Sequence, residues 1–266
     1  MAELPPGQSS IDSVVSKPPA GGVPEYRVQG AGPLLVYIAG LDGTGELFFK
    51  QIPALAESYR VLTFRSREGP DFSYEELADD VAALISANSD TRATIVGESF
   101  GGTVALSFAL RHPAMVERLV IVNSFPRFHG RFRIRLAGWL AERLPFGISW
   151  VARGGFSFLG LHMDGVSAED RRRFFQAVRT VKKRAYARRL RLIAGFDVEG
   201  RLSEIQAPTL FVAADKDLVV SSRAEARVMA DKVPNGVVRV IKGAGHACLM
   251  GPRVCLADIL KTWTEG

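Results

Sequence analysis

The sequence predicts an α/β fold in which a mostly parallel sheet is covered by helices on both faces. Three observations lead there. Short apolar runs of β-prone composition alternate with helical periodicity along most of the chain, and right-handed crossovers turn such alternation into a parallel, three-layered sheet. One of these runs, residues 93–96, meets Gly97-Glu98-Ser99-Phe100-Gly101 and then a helix-like stretch, so a sharp strand-to-helix turn is expected there. Finally, the alternation stops at Phe125 and resumes after about Pro208, which reads as an insertion into a single sheet domain.

Residues 1–24 are rich in Pro, Gly and Ser without a sustained period and are expected to be a mobile tail. A short strand is expected at 25–28. Residues 34–39 are a compact apolar run bounded by Gly-Pro and Gly, as for a central strand buried on both faces. A helix through Leu47, Phe48, Ile52 and Leu55, kinked by Pro53, leads to a strand at 59–64. Ser73-Tyr74-Glu75-Glu76 is a capping box, and Tyr74, Leu77, Ala78, Val81, Leu84 and Ile85 mark one face of the helix it starts. The helix after the glycine motif is expected from about Thr103 to His112-Pro113, followed by a strand at 119–122.

The core is therefore expected over 25–124 and 208–266, with a helical cap over 125–207. The inserted segment is aromatic (Phe128, Phe132, Trp139, Phe146, Trp150, Phe156, Phe158) and punctuated by Gly147, Gly154, Gly155, Gly160 and Gly165. A second capping box, Ser167 to Asp170, is expected to open a long helix carrying Arg171, Arg172, Arg173, Lys182, Lys183, Arg188 and Arg189 on its outer surface. A strand over Thr209–Ala214, a helix at 223–230, a strand at 237–241 and a last helix after Gly251-Pro252 complete the order.

Composition bounds the function. With 266 residues, 47% of them hydrophobic, the chain can fill a sizeable core. No apolar run approaches the ~18 to 20 residues that span a bilayer, and no basic stretch precedes an apolar core at the N-terminus. A cytoplasmic protein is the expectation. Cys248 and Cys255 have neither CxxC spacing nor a neighbouring histidine pair, so two reduced buried thiols are expected rather than a disulfide or a metal site. Residues 125–206 hold 17 Arg and Lys against seven Asp and Glu, whereas the whole chain carries only +6. A solvated positive face is the preferred reading of that excess; weak, salt-sensitive attraction to anionic membrane surfaces or acyl-CoA is the alternative. No nucleic-acid-binding motif accompanies the charge.

The chemistry centres on Ser99. In Gly-x-Ser-x-Gly between strand and helix, the serine is held in a strained conformation with its hydroxyl clear of the sheet, the arrangement called a nucleophile elbow. Side chains at 97 and 101 would collide where strand and helix pass. A serine hydroxyl needs a base, and the base an orienting acid. Of four histidines, His112 ends a helix before a proline, and His129 and His162 fall in the insert. His246, in Gly243-Ala244-Gly245-His246 between the last strand and last helix, is the expected base. Asp215 and Asp217 both follow the strand at 209–214; Asp217, deeper in the loop, is the expected acid and Asp215 a turn cap. The strand at 119–122 ends in Asn123-Ser124, with no carboxylate.

Acyl transfer also needs donors for the developing oxyanion. Phe100 N–H, after the nucleophile, and Leu41 N–H, in the loop Gly40-Leu41-Asp42-Gly43-Thr44-Gly45, are the candidates. That loop lacks the Gly-Lys-Ser/Thr ending of a phosphate-binding loop and the GxGxxG of a dinucleotide site.

The chain order Ser99, Asp217, His246 follows that of α/β-hydrolases, and residues 25–266 resemble that superfamily. The pieces Gly40 to Gly45, Gly97 to Gly102 and Gly245-His246 are more narrowly similar to the serine esterases related to phytyl ester synthases. The resemblance implies an eight-stranded, mostly parallel sheet with a helical cap, and ester hydrolysis or acyl transfer by Ser99, Asp217 and His246. Ala39 stands where many members carry a histidine, a departure that touches loop geometry but not a backbone donor. The expectation is a cofactor-independent serine hydrolase cleaving a small-molecule ester with an apolar moiety. Acyl transfer to an alcohol or thiol is the second reading, and a non-catalytic binding protein the third.

Overall fold

The computed structural model of the chain describes residues 14–16, 23–143 and 165–264. Seven strands run from Tyr26 onward: β2 (Tyr26–Gln29), β3 (Leu34–Ile38), β4 (Arg60–Phe64), β5 (Ala93–Glu98), β6 (Val116–Val122), β7 (Thr209–Ala214) and β8 (Gly236–Ile241). A three-residue strand, β1 (Val14–Ser16), pairs antiparallel with β2. The order is β1-β2-β4-β3-β5-β6-β7-β8. Beyond β1, the β2–β4 pair is antiparallel and every other pair parallel. The eight strands expected are thus reached only by counting β1, which falls within the stretch read as tail.

The central strands are buried on both faces: all of β3 and β7, and β5 up to Gly97. Their side chains alternate between two cores, as the two-residue period of a strand requires. Val36, Ile38, Ile95, Leu119 and Phe211 pack with α2 (Tyr74–Ala87), α3 (Phe100–Arg111) and α7 (Ser222–Ala230). Leu35, Tyr37, Val96, Val120 and Leu210 pack on the opposite face with Leu55 of α1 (Ile52–Leu55) and with α8 (Leu256–Thr264). The Ser73–Glu76 capping box forms as read, each partner satisfying the other's backbone N–H.

Three local expectations are corrected. No single kinked helix covers 47–55: a 3-10 turn over Glu46–Phe48 precedes α1. Pro53 lies in the first turn of α1, where a missing N–H breaks no helical bond. The long helix after Ser167 is two helices, α5 (Ala168–Thr180) and α6 (Lys183–Gly195), separated by extended backbone at Val181 and Lys182. Because the helix breaks and turns there, Arg189 does not face solvent; it is among the largest fully buried side chains. Phe146, Trp150, Phe156, Phe158, His162 and glycines 147, 154, 155 and 160 lie outside the described residues.

Helix α4 (Arg131–Arg143) packs along α6, and a Cβ on Gly138 would already touch that of Leu190 at 3.4 Å. Helix α5 is seated on the domain through a small apolar cluster in which Phe174, Ala177 and Val178 meet Leu47 and Met250. Inserted residues therefore lie over the carboxyl ends of the central strands, where open parallel sheets bind ligands. Among the described residues no helix is long and apolar enough to cross a membrane.

Candidate active site

Strand β5 ends at Glu98 and α3 begins at Phe100, leaving Ser99 alone between them with φ 55° and ψ −117°. A non-glycine residue in this region is strained by about 1–3 kcal/mol and persists only where its surroundings dictate it. Here they do. Ser99 N–H donates to Val122 O at 2.9 Å, and Ser124 Oγ donates to Ser99 O at 2.7 Å. The glycines have the steric role expected of them: a Cβ at 97 would lie 2.4 Å from Gly101 O, and one at 101 would lie 2.0 Å from Ile38 O.

Helix α3, entering so close to β3, is what makes the turn sharp. Gly102 adds a third clearance, since its Cβ would overlap Ser124.

The three distant polar residues meet at this point. His246 Nε2 lies 2.9 Å from Ser99 Oγ, and its Nδ1 lies 2.8 Å from Asp217 Oδ2. Asp217 is fixed as an acceptor: Val219 N–H and Val220 N–H donate to Oδ1 at 2.9 and 3.0 Å, and Ser222 Oγ donates to Oδ2 at 2.7 Å. Burial pushes its carboxyl upward, but the hydrogen bond and charge of His246, with the Val220 and Ser222 donors, outweigh that and hold it below the ordinary aspartate value. An ionised acceptor on Nδ1 keeps the proton there and leaves Nε2 to accept from Ser99. Asp215 instead accepts from Gly243 N–H at 2.6 Å, bracing the loop after β8 rather than its own turn.

The other described histidines are elsewhere. His112 pairs with Asp79 at 2.8 Å on the surface, and His129 is exposed, 3.9 Å from Glu225. Cys248 is buried and Cys255 half-buried; both are free. Among the described residues no group of His, Cys, Asp or Glu could hold a metal ion.

Asn123, noted in the sequence only for lacking a carboxylate, organises the histidine loop. It is fully buried with φ 46° at the end of β6. Its Nδ2 donates to His246 O at 2.8 Å and reaches Gly245 O at 3.4 Å, while Oδ1 accepts from Ala214 N–H at 2.8 Å. One amide thereby ties the loop after β8 to the end of β7. Its only sequence signal is position: a polar residue closing an apolar strand at the carboxyl edge of the sheet.

Glu98, beside Ser99, carries no distinguishing signal in the sequence. Tyr37 Oη donates to Glu98 Oε2 at 2.6 Å. Enclosure by protein pushes this carboxyl up to about 7, against the bond from Tyr37 and the charge of His246.

The glycine-rich loop passes beside the serine: a Cβ on Gly40 would lie 3.6 Å from Ser99 Cβ. Asp42 Oδ2 accepts from both the N–H and the hydroxyl of Thr44, closing the loop on itself. Phe100 is the first residue of α3, and N–H groups of a helix's first turn have no helical acceptor.

Ser99 and His246 open onto a cavity of about 120 Å³ walled by Leu41, Leu47, Phe174, Val178, Val219 and Met250, with Asp42 and Glu98 among its polar edges. No Arg or Lys among the described residues lines it. A larger hollow of about 610 Å³, between β2, β4 and α5, touches neither Ser99 nor His246.

Residues 33–251 match the family described as alpha/beta hydrolase fold. A protein of Serratia proteamaculans named carbamate hydrolase RutD is 30% identical over 247 residues, covering 86% of this chain and 92% of that protein. One of the same name from Rhizobium rhizogenes is 31% identical over 204 residues, covering 70% and 75%. These relatives carry a carbamate hydrolase name rather than that of a phytyl ester synthase. A crystal structure of a hydrolase from Pseudomonas aeruginosa superposes with a TM-score of 0.80 over 98% of this chain and 100% of that one, at 20% identity, a likeness of fold alone.

Proposed function

This chain belongs to the alpha/beta hydrolase fold family, and on that premise we propose that it is a cofactor-independent serine hydrolase acting on neutral carboxylic esters with a compact apolar acyl group. The observation that carries the reading is His246 standing within hydrogen-bond reach of both Ser99 Oγ and Asp217. In the mechanism we propose, Ser99 Oγ attacks the ester carbonyl as His246 Nε2 takes its proton. The charge on the carbonyl oxygen is held by the N–H groups of Leu41 and Phe100. His246 returns the proton to the leaving alcohol, and a water repeats the sequence to free the acid and Ser99. Asp217 remains a carboxylate throughout and stabilises the imidazolium.

Two features support the apolar acyl group: the aliphatic and aromatic walls beside Ser99, and the modest volume they enclose.

The names of the relatives favour a second reading, hydrolysis of a carbamate through the same attack. A free carbamate is an anion, and it would meet Asp42 and Glu98 with no cation lining the cavity among the described residues. Desolvating that charge without a partner is costly. Neutral esters are therefore the preferred substrates.

The test is turnover of p-nitrophenyl esters from acetate to palmitate, with ammonium carbamate and a neutral alkyl carbamate alongside, by wild type and Ser99→Ala. Ester turnover is expected to fall on the order of 10⁶-fold in the variant, and a fluorophosphonate should label only the wild type. Near-wild-type turnover by Ser99→Ala would remove the reading.

A further inference from the structure

Arg189 is a guanidinium placed where a charge is hard to keep. It arises from α6 in the inserted segment, is 1% exposed, and reaches across to the core. Its Nη1 donates to Leu41 O at 3.0 Å and Asp42 O at 3.2 Å; its Nη2 donates to Arg67 O at 3.0 Å. Its Nε is buried without a partner. A buried cation held by main-chain carbonyls, with one donor unmatched, is a poor device for stability, where an apolar side chain of equal volume often does as well.

The glycine-rich loop is shaped to accept it. Gly43 has φ 63°, and a Cβ there would lie 2.2 Å from Arg189 Nη2. The loop thus leaves room for the guanidinium at the residue two beyond Leu41.

We propose that Arg189 is a positioning residue that fixes the Leu41 loop from the inserted segment, so that the oxyanion site is complete only when α6 is docked. By anchoring the carbonyls of the Leu41–Asp42 and Asp42–Gly43 peptides, it restrains the adjoining Gly40–Leu41 peptide, whose N–H would otherwise be free to rotate away from the carbonyl bound at Ser99. The inserted segment then does more than roof the cavity: its docking and the donor geometry are one equilibrium. This rests on Leu41 being an oxyanion donor, as read above.

The test has two arms, run on Arg189→Lys and, in case a buried replacement prevents folding, on Gly43→Ala, which keeps Arg189 but crowds it. The first arm is hydrogen–deuterium exchange of peptides spanning residues 40–46. Exchange at least about tenfold faster than in the wild type is expected; unchanged exchange overturns the proposal whatever the enzyme's activity.

The second arm compares an ester with its thionoester, whose sulfur accepts hydrogen bonds weakly. Losing one oxyanion donor costs about 10²–10³ in kcat, so kcat for the oxoester should fall about 10²-fold with KM little changed, and the thionoester at least tenfold less. Equal losses on both substrates would make Arg189 merely structural and overturn the proposal. Absence of Ser99-dependent hydrolysis in the wild type would refute the functional reading instead, and the exchange arm would still decide whether Arg189 fixes the loop.

Discussion

Replacing Asn123 with aspartate changes one NH₂ into an oxygen and leaves the shape intact, so the Asn123→Asp variant isolates the hydrogen bond that holds the histidine loop. The Oδ1 acceptor for Ala214 N–H survives. The other oxygen would face His246 O, 2.8 Å from the present nitrogen, and Gly245 O at 3.4 Å, in a fully buried site. Ionised, it would confront two acceptors without water. Burial of this kind raises a carboxyl by up to 3–5 units. Taking about 2 to 3 units here, at 1.36 kcal/mol each, the variant should lose about 3 to 4 kcal/mol at neutral pH, a large part of the 5–15 kcal/mol of a typical domain.

The sign follows from linkage. A folded pKa above the unfolded one means that the penalty is absent below the unfolded value, near pH 4, and grows as pH rises through the folded value. Protonated, the carboxyl donates to His246 O as the amide does. Urea unfolding of variant and wild type at pH 4 and pH 7.5 measures the gap directly. It should be under about 1 kcal/mol at the lower pH and about 3 to 4 kcal/mol at the higher. A gap equal at both would refute the assignment of that hydrogen bond.

Other substitutions test other contacts. Asp217→Asn keeps the shape but releases the imidazole tautomer, and kcat on a p-nitrophenyl ester should fall about 10⁴-fold. Glu98, raised to about 7 from 4.5, favours its protonated form in the fold; its contribution is full below about pH 4.5 and lost as pH passes 7. Glu98→Gln should therefore be more stable than wild type by about 3 kcal/mol at pH 8 and equal to it at pH 4, read by urea midpoints. Gly101→Ala would put a methyl 2.0 Å from Ile38 O and should cost about 3 kcal/mol or more. Differential scanning calorimetry should show a drop of roughly 6–12 °C, with Gly69→Ala, where nothing lies within 4 Å, as the unaffected control.

Much of the site was legible because its chemistry is carried by short local patterns. The strand, Gly-x-Ser-x-Gly and helix sequence dictated a turn that only glycine neighbours permit, and the steric clearances at 97 and 101 have that origin. His246 and Asp217 were readable because each follows a strand, and parallel strands deliver their carboxyl ends to one edge. The break at Phe125 was likewise visible as a change of period.

What lay beyond the sequence depended on contacts between residues far apart in the chain. Asn123 was visible only as the absence of an acid, since its partners lie about 90 and 120 positions away. Arg189 looked like one more surface cation in a basic helix, because periodicity does not reveal that a helix breaks at Val181 and aims one face inward. Glu98 sat inside the motif without a function, because the tyrosine that grips it comes from the neighbouring strand. Local steric rules determined by themselves where the Ser99 hydroxyl would stand. Which buried polar groups hold its surroundings in place was decided only by tertiary packing, for desolvation and hydrogen-bond geometry are properties of the assembled neighbourhood and not of any one segment.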